Sequence, residues 1–148
     1  MIIKTLQSLF KRDLDKLITE IESYHNEKKL WVVEKNISNS AGNLTLHLIG
    51  NLNAYIGAEI GKTGYVRNRP LEFSLKEISR NELIARITAT MKVVEGSLDK
   101  LTADQLEAEY PVMVFAEKMT TGFFLIHLAT HLSYHLGQIN YHRRLLEE

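Results

Sequence analysis

Three histidines recur at four-residue intervals near the C-terminus, in His127-Leu-Ala-Thr-His131-Leu-Ser-Tyr-His135-Leu-Gly-Gln138. Four residues of α-helix turn about 400° and climb about 6 Å, so neighbouring imidazoles in this run share one face, one turn apart. Two such rings can grip one divalent ion. His127 and His135 lie about 12 Å apart along the axis. That is too far for both to reach one ion through bonds of about 2.0–2.1 Å. The ligating pair is 127/131 or 131/135, and periodicity does not choose between them. His47, in Leu44-Thr45-Leu46-His47-Leu48-Ile49, has apolar neighbours on both sides. Alone it reads as a satisfied core histidine. Beside a helical pair it supplies the third ligand that catalytic sites commonly use, leaving a position for water or substrate.

Other polar residues are weighed against this trio. Asn43 and Asn51 stand one turn either side of His47 on the same helical face. They either orient the imidazole or touch substrate, or else cap and satisfy the helix. His127 is a partner of the site or a core residue one turn away. His142, near the end of the last helix, and His25, at the polar end of the first, read as surface residues. Tyr134 and Tyr141 read as packing or interface residues. Arg67 and Arg69 read as solvated loop arginines, with an anion-holding role as the alternative. Gly137, just past His135, offers a small residue where another helix can approach closely. Glu59 is the nearest carboxylate to His47 on its own helix, but it is three turns away. No convincing general base for a hydrolase is visible.

Composition narrows the chemistry. The 148 residues suit one domain with a substantial core, spanning 1–148. Eighteen Lys and Arg balance eighteen Asp and Glu, so nothing draws the chain generally to nucleic acid or to an anionic membrane. There is no cysteine, which removes disulfides, thiolate nucleophiles and cysteine-type zinc sites. Any thiol in the chemistry must come from a cosubstrate. No signal-peptide pattern opens the chain and no apolar run approaches a membrane span, so the expected location is cytoplasmic. No Gly-rich loop follows a strand, and the His-Glu-x-x-His and Glu-x-x-His signatures of zinc proteases and di-iron bundles are absent.

Four long helices must position these residues. Leu6, Leu9, Phe10, Leu14, Leu17, Ile18 and Ile21 follow a 3.6-residue period and predict a helix over 2–28. Ser38-Asn39-Ser40 can cap a second helix that ends near Ile60, at Gly61-Lys62-Thr63-Gly64. Tyr65 to Ser79 reads as a long connection. Ser79-Arg-Asn-Glu82 is a capping-box pattern opening the third helix. Thr102 to Gln105 starts a short helical turn. Glu109 to Phe115 is extended, with Pro111 opposing helix. Thr120 or Thr121 caps the fourth long helix, which runs to about Leu146. The fold class expected is all-α, a four-helix bundle with long inter-helix connections.

Two segments resemble a known family. Asn39 to Asn51, centred on His47, is similar to the segment carrying the first metal ligand in the DinB-like (DNA-damage-inducible) metal-binding proteins. His131-Leu-Ser-Tyr-His135-Leu-Gly-Gln138 is similar to their His-x-x-x-His-(Arg)-Gly-Gln segment. The two motifs lie 84 residues apart and the resemblance covers nearly the whole chain. It implies the ligand set His47, His131 and His135, with Asn43, Asn51, His127 and Gln138 as candidates for supporting or substrate contacts. It implies an up-down-down-up bundle and a homodimer. It also implies a divalent metal, zinc or nickel first and iron or manganese next. Relatives include bacillithiol transferases and mycothiol-dependent maleylpyruvate isomerases, so a small-molecule thiol and an electrophile are the partners implied. Leu136 stands where the family commonly has Arg. A metal-dependent hydrolase and a non-catalytic metal-binding, stress-response dimer are the alternatives.

Overall fold

The computed structural model describes residues 1–147. Its six helices are α1 (Ile2–Glu22), α2 (Ala41–Leu52), α3 (Arg69–Ser74), α4 (Arg80–Asp99), α5 (Ala103–Glu107) and α6 (Thr121–Leu146). There is no strand among the described residues, only an isolated bridge between Glu109 and Thr120. Helix α1 forms on the expected period, burying Leu6, Phe10, Leu14, Leu17 and Ile21. It ends at Glu22 rather than at residue 28. Asn26 then accepts from the Lys28 amide and opens a separate 3-10 turn, Glu27–Trp31, because this cap starts a new helix instead of extending the old one. Ser40, Ser79 and Thr120 cap α2, α4 and α6 by accepting the amides of Asn43, Glu82 and Phe123. Thr102 and Gln105 make the full reciprocal capping box of α5.

Side-chain contacts fix the directions of the four long helices. Gln7 near the start of α1 reaches Asp99 at the end of α4, so these two run antiparallel. Glu20 near the end of α1 bonds Asn140 and Arg143 near the end of α6, so α1 and α6 run parallel. Tyr55 beyond α2 meets Phe124 early in α6, whereas His47 meets His131, which makes α2 and α6 antiparallel. The order is up-down-down-up. Helix α1 packs on α4 and α6, and α2 packs on the same two from the opposite corner.

Helix α2 is buried nearly all round, because α3, α4, α6 and the 3-10 turn all pack on it. Asn43, His47 and Asn51 are therefore core residues that need partners. Past Leu52 the helix widens into a π-helical turn, Asn53–Ala58. The Glu59 amide bonds the Ala54 carbonyl and the Ile60 amide bonds that of Ile56, passing over Tyr55. The Tyr110 hydroxyl donates to the Tyr55 carbonyl at 2.6 Å. The segment from Tyr65 to Ser79 is not a plain connection. It contains α3, started by Asn68, which accepts from the Leu71 amide, and by Pro70 in the first turn.

Candidate metal centre

His47 from α2 and His131 and His135 from α6 meet between the two antiparallel helices. His47 Nε2 is 3.2 Å from His131 Nε2, and His135 Nε2 is 3.1 Å from the same atom. One nitrogen from each ring lies within 4.8 Å of the other two. With metal–nitrogen bonds of about 2.0–2.1 Å, ligand nitrogens sit roughly 2.9 Å apart at a right angle and roughly 3.4 Å apart at the tetrahedral angle. The observed spacings are those of a coordination edge. This is the one group of three or more His, Asp or Glu side chains among the described residues that could hold a metal ion.

The tautomers support the same conclusion. His47 Nδ1 is 3.0 Å from Glu72 Oε1, so it carries the proton and donates to the carboxylate. His135 Nδ1 is 2.7 Å from Gln138 Oε1 and donates likewise. Both rings then aim bare Nε2 lone pairs at His131. One proton on His131 Nε2 satisfies one of them and leaves the other facing it. A cation satisfies all three. Burial, with His135 and His47 nearby, pushes His131 down to about 3, and burial also lowers His135 against its bond to Gln138. Both rings are neutral at pH 7, the state a ligand requires.

Glu72 is the residue that the sequence did not reveal. It lies on α3, is 6% exposed, and its carboxylate takes two bonds from Arg67, Nε to Oε2 at 2.8 Å and Nη2 to Oε1 at 2.9 Å. Burial alone would raise its pKa. The hydrogen bonds and charges of Arg67 and His47 outweigh that and hold it below the ordinary carboxylate range. Arg67 is thus not a solvated loop arginine. It is largely buried, bonded to Glu72 and seated over the Tyr55 ring, 5.6 Å from its centroid. Gly50 makes room for the carboxylate, since a Cβ there would sit 1.8 Å from Glu72 Oε2. The sequence signal for α3 was present in Asn68-Arg69-Pro70, a cap followed by a proline in the first turn.

The remaining candidates separate cleanly. Asn43 does not touch an imidazole. It donates to the carbonyls of Glu72 and Leu75 at 2.9 and 2.8 Å and accepts from Ser40 and Lys76, so it ties the end of α3 to α2. Asn51 is buried and its Oδ1 has no hydrogen-bond partner. His127 is outside the trio, its ring stacked on Phe124 at 5.8 Å and edge-on to Phe115 at 4.9 Å. Gly137 admits no close helix, because a Cβ there would meet nothing within 4 Å. His25 is exposed, as expected. His142 is not a surface residue. It is 7% exposed, with Nδ1 2.6 Å from the Tyr24 hydroxyl and Nε2 2.8 Å from the Val32 carbonyl.

The fold and the three-histidine geometry agree with the family assignment. A family model described as a protein of unknown function, DUF1572, matches residues 1–148. The chain belongs to the DUF1572 family. That family is grouped with the DinB-like proteins, in line with the two motifs around His47 and His131. A comparison with curated proteins returned no match. Within this DUF1572 chain, no helix among the described residues is long and apolar enough to cross a membrane.

Proposed function

We propose that this protein is a divalent-metal-dependent enzyme that joins a small thiol to an electrophilic small molecule. The observation that carries the proposal is the convergence of three imidazoles beside a cavity. His47, His131 and His135 would hold the ion, with zinc or nickel preferred and iron or manganese as further candidates. A cation held there supplies Lewis acidity, favouring the thiolate form of a thiol at neutral pH. Glu72 and Gln138 fix two of the rings through their Nδ1 protons, and Arg67 holds Glu72.

A cavity of about 620 Å³ adjoins the site, with His135 and Gln138 at one end and Ile37, Leu44, Tyr141 and Leu145 along its walls. Its largely apolar lining suits the body of an organic electrophile. The chain has no cysteine, so the sulfur nucleophile comes from outside. In the reaction the thiol loses its proton to solvent, a sulfur–carbon bond forms, and a leaving group departs with the bonding pair. Among DinB-like proteins, the bacillithiol transferases and the mycothiol-dependent isomerases are the relatives whose chemistry this resembles. The same proposal places the protein in the cytoplasm, where thiols are kept reduced. It also makes the protein a homodimer that covers the exposed Phe123, Ile126 and Tyr134 of α6. A hydrolase is less well supported, because Glu72 is engaged by Arg67 and His47 and is not free to act as a base.

Elemental analysis of untagged protein, purified without chelator, tests the site, with His131→Ala as the control. The expected result is about one ion per chain, reduced to none in the variant. Conjugation of a small thiol to an activated aryl chloride, followed by chloride release, should disappear with the ion while the helical circular dichroism persists. Bound metal with no conjugation of any thiol tested, and a melting temperature that collapses in the variant, would identify the ion as structural.

A further inference from the structure

Two of the three rings have a protein partner for the nitrogen turned away from the centre. His47 has Glu72 and His135 has Gln138. His131 is the exception: its Nδ1 is buried and has no hydrogen-bond partner. Asn51 Oδ1 is buried without a partner as well. Two unpaired polar groups in one core are each costly.

The helix geometry places both residues on the seam between α2 and α6. Residues 44 and 47 mark the face of α2 turned to α6, and Tyr55 in the π-helical turn continues it: Leu44 lines the cavity with His135 and Gln138, His47 meets His131, and Tyr55 meets Phe124. Asn51 is four residues after His47, a net rotation of about 40°, so it lies on this face between His47 and Tyr55. Because α2 and α6 are antiparallel, its level falls between those of His131 and Phe124. Side chains on a helix lean toward its N-terminus. Asn51 therefore leans toward the level of His47, and His131 leans toward that of His127. The two side chains lean toward each other.

We propose, resting on the metal-centre reading above, that Asn51 is the positioning residue of His131. With an ion at the three Nε2 atoms, His131 carries its remaining proton on Nδ1, and Asn51 Oδ1 accepts it, directly or through one water. Without an ion, the proton sits on Nε2 and the Asn51 amide turns to donate to the bare Nδ1 lone pair. A carboxamide is suited to both states because it presents an acceptor and a donor on one rotor. Each ligand then has its own partner on the outer side: a carboxylate for His47, and a carboxamide each for His131 and His135.

The test compares wild type with Asn51→Leu and Asn51→Asp, using zinc affinity by chelator competition and nitrogen-15 NMR of the histidine side chains. Asn51→Leu should weaken zinc about 10–100-fold. Asn51→Asp, which keeps the acceptor, should bind zinc at least as tightly as wild type. Zinc should move the His131 proton from Nε2 to Nδ1, and the bonded Nδ1 proton should be seen at low field in wild type and Asn51→Asp but not in Asn51→Leu. Asn51→Leu binding zinc like wild type overturns the proposal, as does Asn51→Asp binding as weakly as Asn51→Leu. Failure of wild type to bind any metal overturns the metal-centre reading itself, so the two failures are distinguishable.

Discussion

Helix α6 carries two kinds of inward-facing histidine, and the contrast shows what makes a site. His142 is saturated. The Tyr24 hydroxyl, held protonated because burial raises its pKa, donates to Nδ1, and Nε2–H donates to the Val32 carbonyl. Nothing is left over for a ligand, and the ring ties the end of α6 to the segments that follow α1 and the 3-10 turn. Seven residues earlier, His135 shares its Nε2 only with another ring nitrogen. Burial lowers both histidines' pKa values, so the direction of the shift does not distinguish them, although His142 is the more deeply buried. The distinction is the count of donors against lone pairs. A histidine with two complementary partners is architecture, whereas three rings turning nitrogens to one point form a group that could hold a cation.

Breaking each side of that contrast should give opposite signatures. The larger effect is expected at Glu72. Glu72→Gln removes the charge that fixes His47 and leaves Arg67 buried beside a neutral amide, so metal affinity should fall about 10–100-fold. Chelator competition measures this. Gly50→Ala, whose methyl would collide with Glu72 Oε2, should move in the same direction. An unchanged affinity in both variants would mean that the carboxylate is only a fold contact.

On the saturated side, Tyr24→Phe should leave metal affinity unchanged and cost about 1–3 kcal/mol of stability, because His142 Nδ1 loses its donor inside the core. Urea denaturation of the metal-free protein reads this directly. A change in metal affinity without a change in stability would reverse the assignments of the two regions.

The smallest effect sharpens what the two regions share. His131, His135 and His142 are all held below the ordinary histidine value by burial. The unfolded chain therefore takes up protons first on acidification. Stability is fully present above an unfolded pKa of about 6.5 and is lost as pH falls from there, for His131 down to about 3. Metal-free melting temperatures should decline progressively across that window. Metal should be released in the same direction, since protons compete for the ligands. A flat profile from neutral pH to about pH 4 would contradict buried neutral rings.

How much of this could be read from the sequence varies with the physics of each element. The four long helices were legible because apolar periodicity and caps at Ser40, Ser79 and Thr120 are local signals. The histidine trio was visible as spacing plus an apolar context, although only the family resemblance chose 131/135 over 127/131. Helix α3 was missed because six residues are too few to show a period. Glu72 was missed with it, since nothing local says which carboxylate will fold back onto His47 from 25 residues away. His142 was misread for a similar reason. Its partner Tyr24 is 118 residues distant, and a polar residue near a helix end ordinarily faces water. The role of Gly137 was inferred from size alone, and size does not say whether a neighbour is there.

The separation of 84 residues between His47 and His131 has a consequence for the order of events during synthesis. His47, Arg67 and Glu72 emerge from the ribosome well before the remaining ligands exist. One imidazole alone holds a metal weakly, so a nascent chain that has reached Glu72 lacks the other two rings of the triad. Only after residue 135 has been made and α6 has docked against α2 can the three nitrogens meet. The three-nitrogen site is thus completed only when the last helix docks, so any ion held there would report that the final helix has found its place.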